Sequence, residues 1–313
     1  MLSPRSTLQK ICGSFKAPIK YGFGYGSGVF SQGKTSESKK RQIDMIFGVE
    51  NPQEWHYQNM QQNPHHYSGM KYLGSSAVAW TQEKLGAGVY FNPFVQIDNH
   101  QVKYGVVDLK TLRDDLHNWS TLYLAGRMHK PVKLIIDHPE ISAAQKVNLK
   151  SAMSTALLLL PTKFSEFELY QKIAAVSYMG DVRMAFAENP QKVQNIVKNQ
   201  FADFRRLYSP HFDKVGIFSE VDELPGIGPE SKGLPLQQGS QNEEQLLLNL
   251  PQRFRDMITK DGSKQVKRLR VSNAVARIVK YPSLTQSIKG VLTAGILRST
   301  KYMVAKLGKR FAT

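Results

Sequence analysis

Apolar positions over the first 140 residues come in short runs broken by turn-forming residues, and only later take up a three- and four-residue spacing. Residues 18–25 predict a strand entering a turn at Gly26-Ser27-Gly28. A polar, lysine-bearing loop follows, and then "QIDMIFGV" has the β-branched and aromatic content of a buried strand. "NPQEWHYQNMQQN" opens on an Asn-Pro boundary and reads as a helix. "GAGVYFNPFVQI" and "QVKYGVVDL" flank the turn composition "DNH" and predict two strands. "TLRDDLHNWSTLYLAGRM" carries leucines and aromatics at helical spacing, and "PVKLIID" predicts a further strand.

From Pro139 the pattern is helical. "EISAAQKVNLKSAMSTALLLL" ends at Pro161, and "SEFELYQKIAAVSYM" opens with Ser165 and Glu168 at capping-box spacing. Val193, Val197, Phe201, Phe204 and Tyr208 repeat on one face of "ENPQKVQNIVKNQFADFRRLY". "DELPGIGPESKGLPLQQGSQNEE" has the Gly, Pro and polar content of an exposed linker. The organisation expected is a mixed sheet domain over 1–137, a helical domain with linker over 138–240, and a basic C-terminal region over 241–313.

Composition narrows the class. With 313 residues, 41% hydrophobic and 21% charged, the chain is globular and long enough for two domains. One cysteine, Cys12, excludes an internal disulfide framework, and the adjacent His65 and His66 lack partners at zinc spacing. The leucine-rich uncharged stretch "SAMSTALLLLPT" has 12 residues, where a membrane-spanning helix takes roughly 20. Of the net charge of +17, residues 253–313 carry +13, from 15 Lys/Arg and two acids. A nearly neutral body with a basic tail points to an anionic partner, nucleic acid or acidic lipid, or to a solvated charge run. At the other end, Arg5, Lys10, Lys16 and Lys20 precede any acid, the composition of a mitochondrial transit segment or of an ordinary basic N-terminus.

The candidate chemistry lies at Gly26-Ser27-Gly28 and at Asp44. A glycine-serine turn brings backbone N–H groups close to a phosphate. Asp44 stands alone in an apolar strand, and a buried carboxylate is normally paired, bonded to backbone amides or bound to metal. The layout resembles the nucleotidyltransferase superfamily. "YGFGYGSGVF", "IDMIFGVENPQEWH", "NPHHYSGMKYLG", "GAGVYFNPFV", "KYGVV", "LYLAGRMHKPVK", "SYMGDVRM" and "TQSIKGVLTAG", in order from Tyr21 to Gly295, resemble the mitochondrial CDP-diacylglycerol synthases, also described as translocator assembly and maintenance proteins.

That resemblance implies an α+β chain, with a nucleotidyltransferase-like mixed sheet, a helical domain of winged-helix-like form and a basic amphipathic tail. It implies transfer of a cytidylyl group from CTP to phosphatidic acid on the matrix side of the mitochondrial inner membrane, for cardiolipin synthesis, with Mg2+ or another divalent metal. On it, Asp44 and Ser27 are the catalytic residues, Asp44 holds the metal, and Asp108 is the candidate second ligand. Gly24, Tyr25, Gly26 and Ser27 shape the triphosphate turn, and Arg127 and Lys130 contact the triphosphate or the lipid headgroup. Glu50 and the Asp114-Asp115 pair are poorer ligands, the latter fitting the solvated face of a helix. Asp181 and Arg183 fit an internal ion pair between domains, and no role follows for His66 and Tyr67.

On a helical wheel the tail sets Leu292, Ile296, Met303, Val304, Leu307 and Phe311 against Arg298, Lys301, Lys306 and Lys309, the pattern of a helix lying in an anionic membrane surface. Lys289 is expected to neutralise a lipid phosphate. Two other readings stay open: an RNA-directed nucleotidyltransferase and a non-catalytic, membrane-bound import assembly factor. The apolar stripe, without interleaved aromatics for stacking bases, argues against nucleic acid. The intact Gly-Ser turn and Asp44 argue against the non-catalytic reading.

Overall fold

A computed structural model of the chain describes residues 4–30, 42–186, 190–219, 233–239, 243–259 and 268–294. They divide between two compact units, the first drawn from 1–113, 132–142 and 281–313 and the second from 114–131 and 143–280. The fold is mixed α+β, as the sequence predicts.

In the first unit, β1 (Tyr21–Tyr25), β2 (Ile43–Val49), β3 (Val89–Ile97), β4 (His100–Asp108) and β5 (Lys133–Ile136) form one sheet in the order β3-β4-β2-β1-β5. Only β2 and β4 pair in parallel; the other neighbours are antiparallel. The register of β3 shifts between Asn92 and Val95, where Pro93 has no N–H to give the ladder and Phe94 sits at φ 56. Helix α1 (Pro4–Gly13) and α2 (Pro52–Gln62) cover one face. Leu8, Ile11, Cys12, Phe15 and Trp55 are buried there with Met45, Phe47, Tyr104 and Val106. The methyls of Leu8 lie 3.0 and 3.1 Å from the place a Gly24 Cβ would take, so glycine is what lets α1 approach β1. Each such apolar side chain contributes about 1.5–3 kcal/mol on burial. The segment with transit-like composition therefore enters the core through Leu8, Ile11 and Cys12, and burial pushes the Cys12 thiol up to about 11, leaving it inert. Helices α3 (Gly74–Lys84) and α4 (Leu109–Asn118) follow β2 and β4.

The second unit is mainly helical. Helix α5 (Leu124–Met128) leads to α6 (Pro139–Leu159) and α7 (Glu166–Val176), and α7 starts at the predicted capping box, with Ser165 and Glu168 bonded reciprocally. After the short α8 (Val182–Phe186), the predicted one-faced run splits at Gln200 into α9 (Lys192–Asn199) and α10 (Phe201–Tyr208), with Val197, Phe201, Phe204 and Tyr208 buried. Helices α11 (Glu243–Leu248), α12 (Gln252–Thr259) and the first part of α13 (Arg268–Ala294) complete it. The strands β6 (Lys163–Ser165), β7 (Ile217–Ser219) and β8 (Pro235–Gln238) add a small antiparallel sheet in the order β6-β8-β7. The stretch expected as linker thus supplies its central strand.

One predicted helix is two. Between α4 and α5 the chain breaks at Trp119 and Leu122, both left-handed at φ 50 and 55. Asp115, expected on a solvated face, is buried and holds the break together. Its Oδ1 accepts from the Thr121 and Leu122 N–H groups at 2.7 and 2.8 Å and its Oδ2 from those of Leu124 and Ala125, both at 3.0 Å. The hydroxyls of Ser120 and Thr121 add two more bonds to Oδ1.

Candidate active site

Strand β1 ends at Tyr25, and Gly26 turns the chain at φ +76, a conformation that costs other residues about 1–2 kcal/mol. Its carbonyl accepts from the Val29 and Phe30 N–H groups, both at 3.1 Å. A Cβ on Gly28 would lie 2.1 Å from the Gln42 carbonyl oxygen, so the turn rests directly on the residue that leads into β2. Ser27 is exposed at the tip.

Asp44 pairs in register with Tyr25 on β1 and with Lys103 on β4. A Cβ on Gly26 would sit 3.3 Å from Asp44 Oδ2. Turn and carboxylate, separate in sequence, therefore meet. The Asp44 Oδ1 accepts from Gln42 Nε2 at 3.2 Å and has Lys103 Nζ at 3.7 Å, with the two charged side chains 25% and 19% exposed. Lys103 also stands 4.6 Å from the centre of the Phe91 ring. Because side chains alternate along a strand, Asp44 and Lys103 share the sheet face opposite α1, while Gly24 faces α1. A Cβ on Gly24 would meet Val29 of the turn at 3.1 Å as well as Leu8, so this glycine lets both α1 and the turn close on β1. Tyr25 is buried at the end of β1.

Asp108 does not join this group. It lies level with Val49, five residues along the parallel pair from the Asp44–Lys103 level, or about 16 Å at the usual strand rise. Its Oδ1 accepts from the Thr111 N–H at 3.0 Å and caps the start of α4, so the expectation of a second metal ligand is corrected. Glu50 is exposed and pairs with Lys20 at 3.3 Å. Among the described residues, no three His, Cys, Asp or Glu side chains cluster to cage a metal. The Asp44 carboxylate, half-open and oxygen-bearing, fits the lesser demand of Mg2+, which takes one or two carboxylates together with substrate phosphates.

Arg127 and Lys130 belong to the second unit. Lys130 Nζ donates to the Gly126 carbonyl and, at 2.8 Å, to Ser177 Oγ. Burial holds its ammonium well below the ordinary lysine range, and the neighbouring Arg127 and Lys192 charges add to this. Arg127 lies 5.9 Å from the Tyr123 ring centre. Asp181 and Arg183 form the expected ion pair, with Arg183 Nη2 2.6 Å from Asp181 Oδ2, but both residues lie within the second unit.

Lys289 is corrected. It is 2% exposed, and its Nζ donates to the carbonyls of Thr81, Gln82 and Leu85 at 3.4, 3.2 and 2.6 Å, closing the C-terminal end of α3. Burial pushes the ammonium down to about 7. It cannot reach a lipid phosphate from there. Arg298, Lys301, Lys306 and Lys309, with the tail stripe from Ile296 to Phe311, lie outside the described residues.

His66 and Tyr67 gain a place. His56 Nε2 donates to Gln82 Oε1 at 2.9 Å, so its Nδ1 accepts from the Tyr67 hydroxyl at 2.8 Å. Asn59 Nδ2 bonds the Tyr67 and Tyr104 hydroxyls, both at 2.9 Å, and His66 Nδ1 bonds Tyr104 at 3.0 Å. This buried network sits on the face opposite Asp44, because Tyr104 alternates with Lys103 on β4. Its work is scaffolding. Sequence reasoning missed Lys103, although the motif "KYGVV" contains it; only the β2–β4 register reveals that it opposes Asp44.

A family model described as "Phosphatidate cytidylyltransferase, mitochondrial" matches residues 8–309. Relatives carrying that name include one from Schizosaccharomyces pombe, 40% identical over 328 residues and covering 97% of this chain and 84% of its own. One from Saccharomyces cerevisiae is 42% identical over 305 residues, covering 96% and 69%. One from Danio rerio is 35% identical over 324 residues, covering 96% and 93%.

Proposed function

The chain belongs to the mitochondrial phosphatidate cytidylyltransferase family, and on that premise we propose that it transfers the cytidylyl group of CTP to the phosphate of phosphatidic acid, forming CDP-diacylglycerol and pyrophosphate. The observation that carries this reading is the approach of Asp44 Oδ2 to the Gly26 turn, 3.3 Å from where a side chain at that residue would begin. A turn stripped of side chains at Gly26 and Gly28, with the Ser27 hydroxyl at its exposed tip, receives the triphosphate. The attacking oxygen belongs to the lipid phosphate and is already anionic, so no strong base is required. As it bonds to the α-phosphorus, the bond to pyrophosphate breaks. The obstacle is repulsion between two anions, and Lys103, beside Asp44, supplies fixed positive charge against it. Asp44 is the residue that would hold Mg2+, which when bound neutralises phosphate charge and polarises the P–O bonds. Arg127 and Lys130 are assigned to phosphate contacts in the second unit.

The acceptor is a membrane lipid, and α13 supports a contact with an anionic surface. Its later part is built inside out. Ser283, Gln286, Lys289 and Thr293 are buried, while Tyr281, Leu284 and Ile288 are 71%, 43% and 54% exposed at a spacing of three and four residues. Polar groups inward and apolar groups outward suit a helix whose outer face meets lipid, with the basic C-terminal region drawing it to acidic headgroups. No described helix is long and apolar enough to cross a membrane. We assign a peripheral position on the matrix side of the mitochondrial inner membrane.

The test is pyrophosphate release from CTP by the full chain with phosphatidic acid vesicles and Mg2+. The Asp44→Asn variant should lose at least about a thousandfold in kcat while its urea midpoint stays near wild type, because a long, partly exposed ion pair adds only about 0–1 kcal/mol. Undiminished turnover in a folded Asp44→Asn protein would refute the assignment.

A further inference from the structure

We propose that Arg127, Lys130, Arg183 and Lys192 form a single phosphate-binding site in the second unit, for a phosphate monoester or polyphosphate with charge beyond −1. The assignment extends to Arg183 and Lys192, which the reading above leaves unused, and it rests on that reading only for the source of the phosphate.

Two aromatic rings gather the four cations. Arg127 and Arg183 each place the guanidinium carbon 5.9 Å from the centre of the Tyr123 ring. Lys130 and Lys192 place their ammonium nitrogens 4.9 and 5.0 Å from the centre of the Tyr178 ring. The rings are themselves brought together by backbone. A Cβ on Gly126 would lie 2.2 Å from Ser177 Cβ, so α5 and the end of α7 touch in a way only glycine permits. The Lys130–Ser177 bond of 2.8 Å ties the same two segments. On the far side, Gly180 at φ +77 presses against Ala276 of α13, fixing the stretch that carries Tyr178 and Arg183.

The two guanidinium groups are also supported from behind. The six bonds into Asp115 brace the loop that precedes Arg127, and Asp181 orients the Arg183 guanidinium through Nε and Nη2 at 2.9 and 2.6 Å. These side chains are half-buried, not waving in solvent. The charges acting most strongly on the Lys130 ammonium are both positive, those of Arg127 and Lys192. Guanidinium forks suit the paired oxygens of a tetrahedral phosphate, and ammonium groups supply point charge to the remainder. A lone carboxylate would satisfy only part of this set.

The ligand phosphate has two possible sources, the phosphatidic acid headgroup and the CTP triphosphate. Arg127→Gln and Lys192→Gln are made singly and together, with exposed Lys150→Gln in the same unit as the control for lost charge. Arg183 and Lys130 are left intact, since changing them would orphan Asp181 or the bonds to Ser177 and Gly126. Inorganic pyrophosphate should raise the Tm of wild type and of Lys150→Gln, and should raise that of the double variant far less. Each replacement should weaken phosphate binding about tenfold, the size of one charge-assisted hydrogen bond. If the apparent affinity for vesicles of phosphatidylcholine plus phosphatidic acid falls while CTP binding holds, the lipid phosphate occupies the site. If CTP binding falls and vesicle affinity holds, the nucleotide phosphate does. Variants that match Lys150→Gln in pyrophosphate stabilisation, CTP binding and vesicle affinity would overturn the site. Pyrophosphate binding by a wild-type chain that never turns over CTP would instead sink the activity and spare the site.

Discussion

Replacing Gly28 by alanine tests how closely the turn is held to β2. The added Cβ would meet the Gln42 carbonyl oxygen at 2.1 Å, its carbon at 2.8 Å and Ile43 Cα at 3.1 Å. All three are backbone atoms, so no side chain can swing away. To reach ordinary contact the turn must lift by roughly 1 Å, and a displacement of that size in a positioning element costs about a hundredfold in rate. The overpacking itself should cost about 1–3 kcal/mol. Gly13→Ala is the companion variant, because a Cβ there meets nothing within 4 Å. The assays are thermal unfolding and steady-state pyrophosphate release from CTP. Gly28→Ala should lower both Tm and kcat/KM, while Gly13→Ala should stay within about 0.5 kcal/mol of wild type and keep its activity. A Gly28→Ala protein with wild-type Tm and kcat/KM would refute the pinned turn. One with lowered Tm but intact kcat/KM would refute its positioning role.

Further expectations concern stability and surface contact. Burial holds His56 down to about 4 and His129 to about 3. Both lie below the unfolded value of about 6.5, so the unfolded chain takes up protons first. Stability is therefore complete above about pH 6.5 and declines as pH falls toward about 4, with His56 alone costing roughly 3 kcal/mol across that window; a urea midpoint unchanged between neutral pH and pH 5 would contradict this. Asp115→Asn turns an acceptor into a donor facing the Leu124 and Ala125 N–H groups, and urea unfolding should report a loss of roughly 2–5 kcal/mol. Replacing Tyr281, Leu284 and Ile288 by serine should leave Tm within a degree or two, since all three are exposed, yet weaken co-sedimentation with phosphatidic acid vesicles at least about tenfold. Equal co-sedimentation would remove α13 from the membrane contact.

What the letters disclosed followed from local chemistry. Ser165 and Glu168 are three residues apart and cap α7 as their spacing predicts. The apolar run around Asp44 made a strand, and Gly26 made the turn. What they hid depended on distant or unusual backbone. Lys103 meets Asp44 only because β2 and β4 pair in parallel, and no local pattern sets that register. The break at Trp119 needs a bulky residue at positive φ, held by an aspartate whose neighbours make it look solvated. Strands β6, β7 and β8 have three or four residues each, too few to show an alternation, and β8 hides in a glycine- and proline-rich stretch by starting at Pro235. Lysine normally signals surface. Lys289 defeats that rule because three helix-end carbonyls replace water around it.

The Lys289 contact has a temporal side. A ribosome, or a translocation pore, delivers the chain from its N-terminus. The carbonyls of Thr81, Gln82 and Leu85 emerge some two hundred positions before the ammonium that satisfies them. Through that interval α3 ends bare, and the first unit waits for 281–294 while all residues of the second are made. A nascent polypeptide of this kind would need shelter by a chaperone until residues 281–294 are released. Deletions near the C-terminus would then lower yield before they altered turnover.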